Sequence, residues 1–303
     1  MAKIALIGAA SGWGAGFRHT EQGPPALRQL GLADWLRAAE LDAEWRAMVR
    51  SEKRWREHPR VRPPETFGLV ARHAAALADE VSRAIAARHF PVVLGGDHAI
   101  AMGSWAGVAR GHGYAPLGLI WLDAHLDAHT IATTPSMNAH GMGAAALFGH
   151  GYQPFLDLCG GVLRPEHVCY VGVRSYEEGE MALLRRLGVR IIPMQDVKRR
   201  GIDAALNEAL AIATTGTAGF GITIDLDGFD PADAPGIGLK EPDGLRRGPT
   251  LAALSRLAGH PALRALEIVE YIPEFDEGLR TAHLLRDLIL AIMVSQPAHA
   301  ALG

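Results

Sequence analysis

Seven short runs of β-forming apolar residues recur along the chain, at positions 4–7, 91–94, 117–122, 168–173, 189–192, 220–226 and 265–269, and they are apolar on both faces. Such patterning belongs to strands buried from both sides, as in a parallel sheet covered by helices. Segments 71–87, 178–187, 202–212 and 250–257 supply the helices, with apolar side chains every three to four positions. Strand alternating with helix predicts an α/β fold, a single-domain doubly wound, mostly parallel sheet flanked by helices. In such a sheet ligands bind beyond the carboxyl ends of the strands.

A length of 303 residues allows one large α/β domain or two small ones. No linker-like, repeated or low-complexity stretch divides the chain, so one domain over 1–303 is expected. Residues 36–64, rich in Arg, Glu and Trp and then Pro, read as a helical excursion or surface insertion at an oligomer interface or active-site rim. Net charge is −3, with 49% hydrophobic and 21% charged residues, which points to no nucleic-acid partner and no membrane surface. No apolar run is long enough to span a bilayer. The apolar start reads as the first buried strand and not as a signal peptide. Two cysteines, Cys159 and Cys169, make no disulfide framework and lack zinc spacing, which fits a cytoplasmic protein.

Three strand ends carry ligand-type residues. The first, F-P-V-V-L-G-G-D-H-A-I, breaks at Gly95-Gly96 and presents Asp97 and His98; the second, W-L-D-A-H-L-D, alternates Asp123, His125 and Asp127. The third, G-I-T-I-D-L-D-G-F-D-P, ends in Asp225 and Asp227. Alternate strand residues face one side, so each cluster aims at one point beyond its strand. Carboxylates converging on one pocket repel each other unless cations lie between them. A binuclear metal site is the economical reading. Imidazole and carboxylate ligands without thiolate suit Mn²⁺, with Ni²⁺, Co²⁺, Fe²⁺ and Zn²⁺ also compatible. Asp230, before a proline, reads as a turn former, and Asp97 as a support behind the ligands. His19, His58, His73, His89 and His112 fall in no cluster and read as surface or structural.

The succession G-G-D-H, D-A-H-x-D and D-x-D-x-x-D-P-x-x-x-P-G resembles the ureohydrolase family, which includes arginase, agmatinase, guanidino-acid hydrolases and formimidoylglutamase. The similarity spans nearly the whole chain, from an arginase-type opening through Glu21-Gln22-Gly23-Pro24 to Glu270 in L-E-I-V-E-Y. It implies the arginase-like fold, two Mn²⁺ ions per subunit, and a homotrimer or homohexamer. One ion would be held by His98, Asp123, Asp127 and Asp225, the other by His125, Asp123, Asp225 and Asp227, with Asp123 and Asp225 bridging. The activity implied is cleavage of L-arginine or a closely related guanidino compound to urea and an amine, by a hydroxide shared between the ions. Asp127, His140 and Glu270 are the catalytic candidates; Glu270 would clamp the guanidinium and His140 would carry the proton to the departing amine.

At the far end of the substrate the resemblance points to His129, Ser136, Asn138 and Glu177. Here the chain departs from arginases, which keep an Asn at the His129 position and an Asp at that of Glu177. Thr223 and Ile237 also depart, conservatively. Arginine is therefore the first expectation; the alternatives are agmatinase, another guanidino-acid hydrolase or a formimidoylglutamase-type enzyme. A non-catalytic relative usually loses a metal ligand, and here all six positions are filled. A two-metal phosphatase or deacetylase of related fold leaves Glu270 without a role.

Overall fold

The computed structural model describes residues 2–16, 18–53, 57, 58 and 60–294. Eight strands form one sheet: β1 (Ile4–Ala10), β2 (Ala43–Arg50), β3 (Phe90–Gly95), β4 (Leu117–Leu122), β5 (Val168–Val173), β6 (Arg190–Pro193), β7 (Gly219–Asp225) and β8 (Leu263–Val269). Their spatial order is β2-β1-β3-β8-β7-β4-β5-β6, and every neighbouring pair is parallel. The chain winds outward on one side, crosses, winds outward on the other, and closes the gap with β7 and β8. That reversal makes β3, β8, β7 and β4 the central strands, and a crevice forms beyond their carboxyl ends.

Helices cover both faces. They are α1 (Gly23–Gln29), α2 (Leu32–Ala38), α3 (Thr66–Ala86), α4 (Ala101–Gly111), α5 (Gly143–Leu147), α6 (Gln153–Cys159), α7 (Glu178–Leu187), α8 (Met194–Arg200), α9 (Ile202–Thr214), α10 (Arg247–Leu254) and α11 (Arg280–Met293). Alternation along each strand divides two cores: Ile4, Leu6, Val92, Leu94, Ile120 and Leu122 pack on one face, while Ala5, Ile7, Val93, Leu119 and Trp121 pack on the other. All of β4, β5 and β7 is buried, which is why these strands read as unbroken apolar runs. Within the described residues no helix is long and apolar enough to cross a membrane.

Residues 36–64 are not a helical excursion or an insertion. After the last turn of α2 they form β2, which pairs with β1 from Ile4↔Ala43 to Ala10↔Arg50 and is an edge of the sheet. The segment A-E-W-R-A-M-V-R sets Ala43, Trp45, Ala47 and Val49 against Glu44, Arg46, Met48 and Arg50, the mixed pattern of a half-exposed edge strand. Residues 54–56 and 59 of that span lie outside the described residues. Elsewhere α3 begins at Thr66, five positions before the apolar periodicity becomes legible, and the last three of residues 250–257 are a 3-10 turn.

Candidate active site

The chain leaves β3 through Gly95-Gly96, and at Gly96 a side chain is impossible: a Cβ there would lie 2.4 Å from the Ser11 carbonyl oxygen. The turn presents Asp97 and His98. Asp97 faces away from the ligands, accepting hydrogen bonds from Gly14 N–H (2.9 Å) and Ala99 N–H (3.0 Å), and so braces the loop after β1. Burial and then the charge of Glu270 push its carboxyl up to about 7.

His98 is the hub. Its Nδ1 lies 2.9 Å from Asp127 Oδ2 and 3.2 Å from both Asp123 Oδ2 and Asp225 Oδ2, yet makes no directed hydrogen bond to any of them. A fully buried nitrogen facing three carboxylate oxygens at nearly equal distances is the donor set for a cation. A second group adjoins it: His125 Nδ1 lies 3.0 Å from Asp227 Oδ2 and 3.6 Å from Asp123 Oδ1. In each group the ligand atoms lie within 4.8 Å of one another, and Asp123 alone belongs to both. Asp225 joins the His98 group only, so of the two expected bridges one is visible in the geometry.

Backbone and indole donors hold the carboxylates in place. Asp123 accepts from Trp121 Nε1 (2.8 Å) and His125 N–H (2.7 Å), and Asp225 from Asp227 N–H (2.9 Å). Crowding shows in their protonation. Burial and the charges of Asp227 and Asp123 raise Asp225 far above the carboxylate range, and burial, resisted by His125 and reinforced by Asp123, lifts Asp227 to about 6. Burial would raise Asp123 too, but the His125 and His98 imidazoles beside it hold it low. Carboxylates that resist shared ionisation fit a site completed by divalent cations.

Glu270 follows β8. Its Oε1 accepts from His98 N–H (3.0 Å), its own N–H donates to Gly96 O (2.9 Å), and its φ is +67°. Asp127 also lies in the left-handed region, at φ +50°. Non-glycine residues there carry about 1–3 kcal/mol of strain and concentrate where the surrounding structure over-determines them. His140, on the loop opposite, donates its N–H to Gly14 O (3.0 Å) and brings Nδ1 within 3.4 Å of Glu270 Oε1. Burial alone would lower its pKa, but the Glu270 bond and charge lift it to about 9.

His125, Asp127, His140, Asp225, Asp227 and Glu270 line a cavity of about 380 Å³, within the range of small-molecule sites. Ser136 and Asn138 lie on its wall, tied by Asn138 N–H donating to Ser136 Oγ (3.2 Å). His129 also lines it, but both ring nitrogens are engaged, Nδ1 with Thr133 Oγ1 (3.1 Å) and Nε2 with Glu177 Oε2 (3.0 Å). His129 thus stands behind Glu177 in this arrangement. Asp230 accepts from Ala232 and Asp243 N–H and forms a turn, as its Asp-Pro context suggests. His73 is buried against β2, where its Nε2 lies 3.3 Å from Val49 O.

Four contributors escaped sequence reasoning. Glu180 is buried, closes a capping box with Glu177 on α7, and accepts from Ala128 N–H (3.0 Å). The E-x-x-E spacing is the signal that could have found it. Arg174 donates to the carbonyls of Asp227, Gly228, Phe229 and Glu241, pinning the loop after β7. Glu241 lines the cavity 3.8 Å from His125 Nε2. Glu267 is fully buried inside β8, and a charge within an otherwise apolar strand is its signal.

The arginase family model matches residues 2–295. The chain belongs to the arginase family. It is 38% identical to the arginase of Bacillus caldovelox, over 93% of this chain and 95% of that one, and 33% identical to the arginase of Brevibacillus brevis, over 95% and 97%. The crystal structure of the Bacillus caldovelox arginase superposes with a TM-score of 0.89 at 35% identity, covering 98% of this chain and 99% of that one. Family and relatives make the chain a ureohydrolase, and its two His and carboxylate groups can hold a binuclear metal centre.

Proposed function

We propose that this enzyme hydrolyses L-arginine to urea and an amine at a pair of Mn²⁺ ions. The observation that carries the reading is the placement of Glu270: a carboxylate that accepts from His98 N–H, lines the cavity with Asp127, Asp225 and Asp227, and lies 3.4 Å from His140 Nδ1. His98, Asp123, Asp127 and Asp225 would hold one ion; His125, Asp123 and Asp227, joined by Asp225 as the second bridge, would hold the other. When bound, the two ions supply a water acidic enough to act as a nucleophile near neutral pH.

The chain's own residues do the rest. Glu270 accepts two parallel N–H bonds from the guanidinium and fixes its carbon over the metal site. His140, protonated below about 9, holds a proton beside Glu270 and gives it to the departing nitrogen as the C–N bond breaks. Glu177, with Glu180 behind it, presents negative charge to the α-ammonium of an amino-acid substrate, while Ser136 and Asn138 offer polar groups to its carboxylate.

The names of the two arginases from Bacillus caldovelox and Brevibacillus brevis favour arginine. Agmatine, a guanidino acid or a formimidoyl substrate would use the same metal chemistry with different contacts at the far wall. A homotrimer or homohexamer in the cytoplasm completes the reading, the compartment supported by two buried free thiols. The test is urea release from arginine, agmatine and short guanidino acids after loading with Mn²⁺, Ni²⁺ or Co²⁺. Arginine with Mn²⁺ is expected to be fastest; faster turnover of agmatine or a guanidino acid would overturn the substrate and keep the class. Sedimentation as a monomer at micromolar concentration would overturn the assembly.

A further inference from the structure

Behind His98, on the side away from the cavity, lies a hydrogen-bonded pair that the reaction itself does not use. Thr223 on β7 and Glu267 on β8 are direct register partners, and both are fully buried. The Thr223 hydroxyl oxygen lies 3.0 Å from His98 Nε2 and 2.7 Å from Glu267 Oε1. Neither residue lines the cavity.

A hydroxyl carries one hydrogen, and a carboxylate only accepts. Thr223 therefore donates to Glu267, at the short distance of a charge-assisted bond, and accepts from His98 Nε2–H. The chain of bonds runs one way, ring to hydroxyl to carboxylate. It places the imidazole hydrogen on Nε2 and leaves the lone pair on Nδ1, the atom that faces Asp123, Asp127 and Asp225.

The surroundings are built to keep that carboxylate there. Burial pushes the Glu267 carboxyl up, resisted by the nearby His98, Ser104, Thr223 and Trp105, although Ser104 Oγ, Trp105 Nε1 and Glu267 Oε2 make no hydrogen bond of standard geometry. Trp105 reaches this place only because β7 has Gly221 beneath it: a Cβ there would lie 2.0 Å from the indole ring. The His98 ring is further held by Trp121, with ring centroids 4.7 Å apart. A carboxylate inside a parallel sheet costs several kcal/mol of desolvation, and an apolar residue would serve packing better.

We propose that Thr223 and Glu267 are positioning residues, a buried relay that fixes the tautomer and orientation of His98 and so retains the metal ion on the His98 side. This rests on the binuclear reading above. Among the described residues His125 has no such relay: the carboxylate beside its Nε2 is that of Glu241, 3.8 Å away on the cavity wall. Losing the relay should therefore weaken one of the two ions and spare the other.

The test is metal binding to the whole enzyme, followed by calorimetric titration of metal-free protein with Mn²⁺ and by ion content after desalting. The parent is expected to bind two ions per chain. Thr223→Val and Glu267→Leu, both close in size to the residues they replace, should each weaken one ion about 10- to 100-fold, the usual effect of removing a partner behind a metal ligand. Thr223→Ser, which keeps the hydroxyl, should restore both. Two variants guard against one failing to fold. If the parent holds two ions and both apolar variants hold two with unchanged affinity, the relay is wrong and the binuclear site stands. If Thr223→Ser weakens the ion as much as Thr223→Val, the effect is packing and the relay is equally wrong. A parent that binds fewer than two ions overturns the binuclear reading, and the relay with it.

Discussion

His140 Nδ1 and Glu270 Oε1 stand 3.4 Å apart on the wall of a cavity that Asp127, Asp225 and Asp227 also line. The contact links two tasks, since the carboxylate that orients a guanidinium also keeps the neighbouring imidazole charged. Glu270→Gln should leave metal content unchanged while lowering kcat/KM on the order of 10²–10⁴-fold, the loss expected for two charge-assisted hydrogen bonds. It should also shift the pH profile. With Glu270 neutral, His140 titrates below about 9, so the proton donor is lost earlier as pH rises and the basic limb of kcat moves to lower pH. A variant with an unmoved basic limb would separate His140 from the proton transfer.

Asp123 is the one carboxylate shared by both metal-type groups, whereas His125 and Asp227 serve only the second. Asp123→Ala should leave less than one ion per chain, and His125→Ala should leave about one. Ion content per chain after desalting decides it. Two retained ions in Asp123→Ala would refute the shared-ligand geometry. Because ions bind the folded state, stripping them from the parent should also lower Tm, with a loss of about 2.7 kcal/mol per ion relative to ion at a hundredfold excess over Kd.

Much of this site was legible because the residues that make it sit at ends of the most strongly apolar strands. The runs before Asp97, Asp123 and Asp225 are buried on both faces, so their hydrophobic pattern located the strands and their abrupt polarity located the crevice. Edge strand β2 carried weaker information, because half-exposure mixes Glu and Arg into its alternation. The brace residues were hidden for a different reason. Arg174 and Glu180 act on backbone atoms of segments about 50 residues away, and no local pattern encodes that reach. His129 was legible as a pocket residue but not as Glu177's partner, since Glu177 lies 48 residues on, at the N-terminus of α7.

His73 gives the fold a pH dependence separate from the metals. Burial between α3 and β2 lowers its pKa to about 4, only partly resisted by its bond to Val49 O. Its folded pKa lies below the unfolded value of 6.5, so the unfolded chain takes up the proton first as pH falls. Stability present above pH 6.5 is therefore lost progressively toward pH 4. Comparison of the parent with His73→Leu at equal metal loading cancels the site carboxylates. Denaturant unfolding should show the parent losing about 2–3 kcal/mol relative to the variant between pH 7.5 and 4.5. Parallel stability curves would show that His73 does not carry the effect.

The last prediction concerns how the substrate's amino-acid end is read. His129 has both nitrogens occupied, one by Glu177 and one by Thr133, so its influence should pass through the Glu177 carboxylate. Glu177→Ala should raise KM for arginine about 10- to 100-fold, the loss of one charged hydrogen bond, and leave the des-amino guanidino acid of the same length, which keeps the carboxylate and has no α-ammonium, nearly unchanged. His129→Ala should raise arginine KM less, by freeing Glu177 to move. The double variant decides between routes: if His129 acts through Glu177, it should be no worse than Glu177→Ala alone, whereas a direct contact between His129 and the substrate would make the two losses add. Additive losses would return His129 to the role of a substrate ligand and make Glu177 its neighbour only.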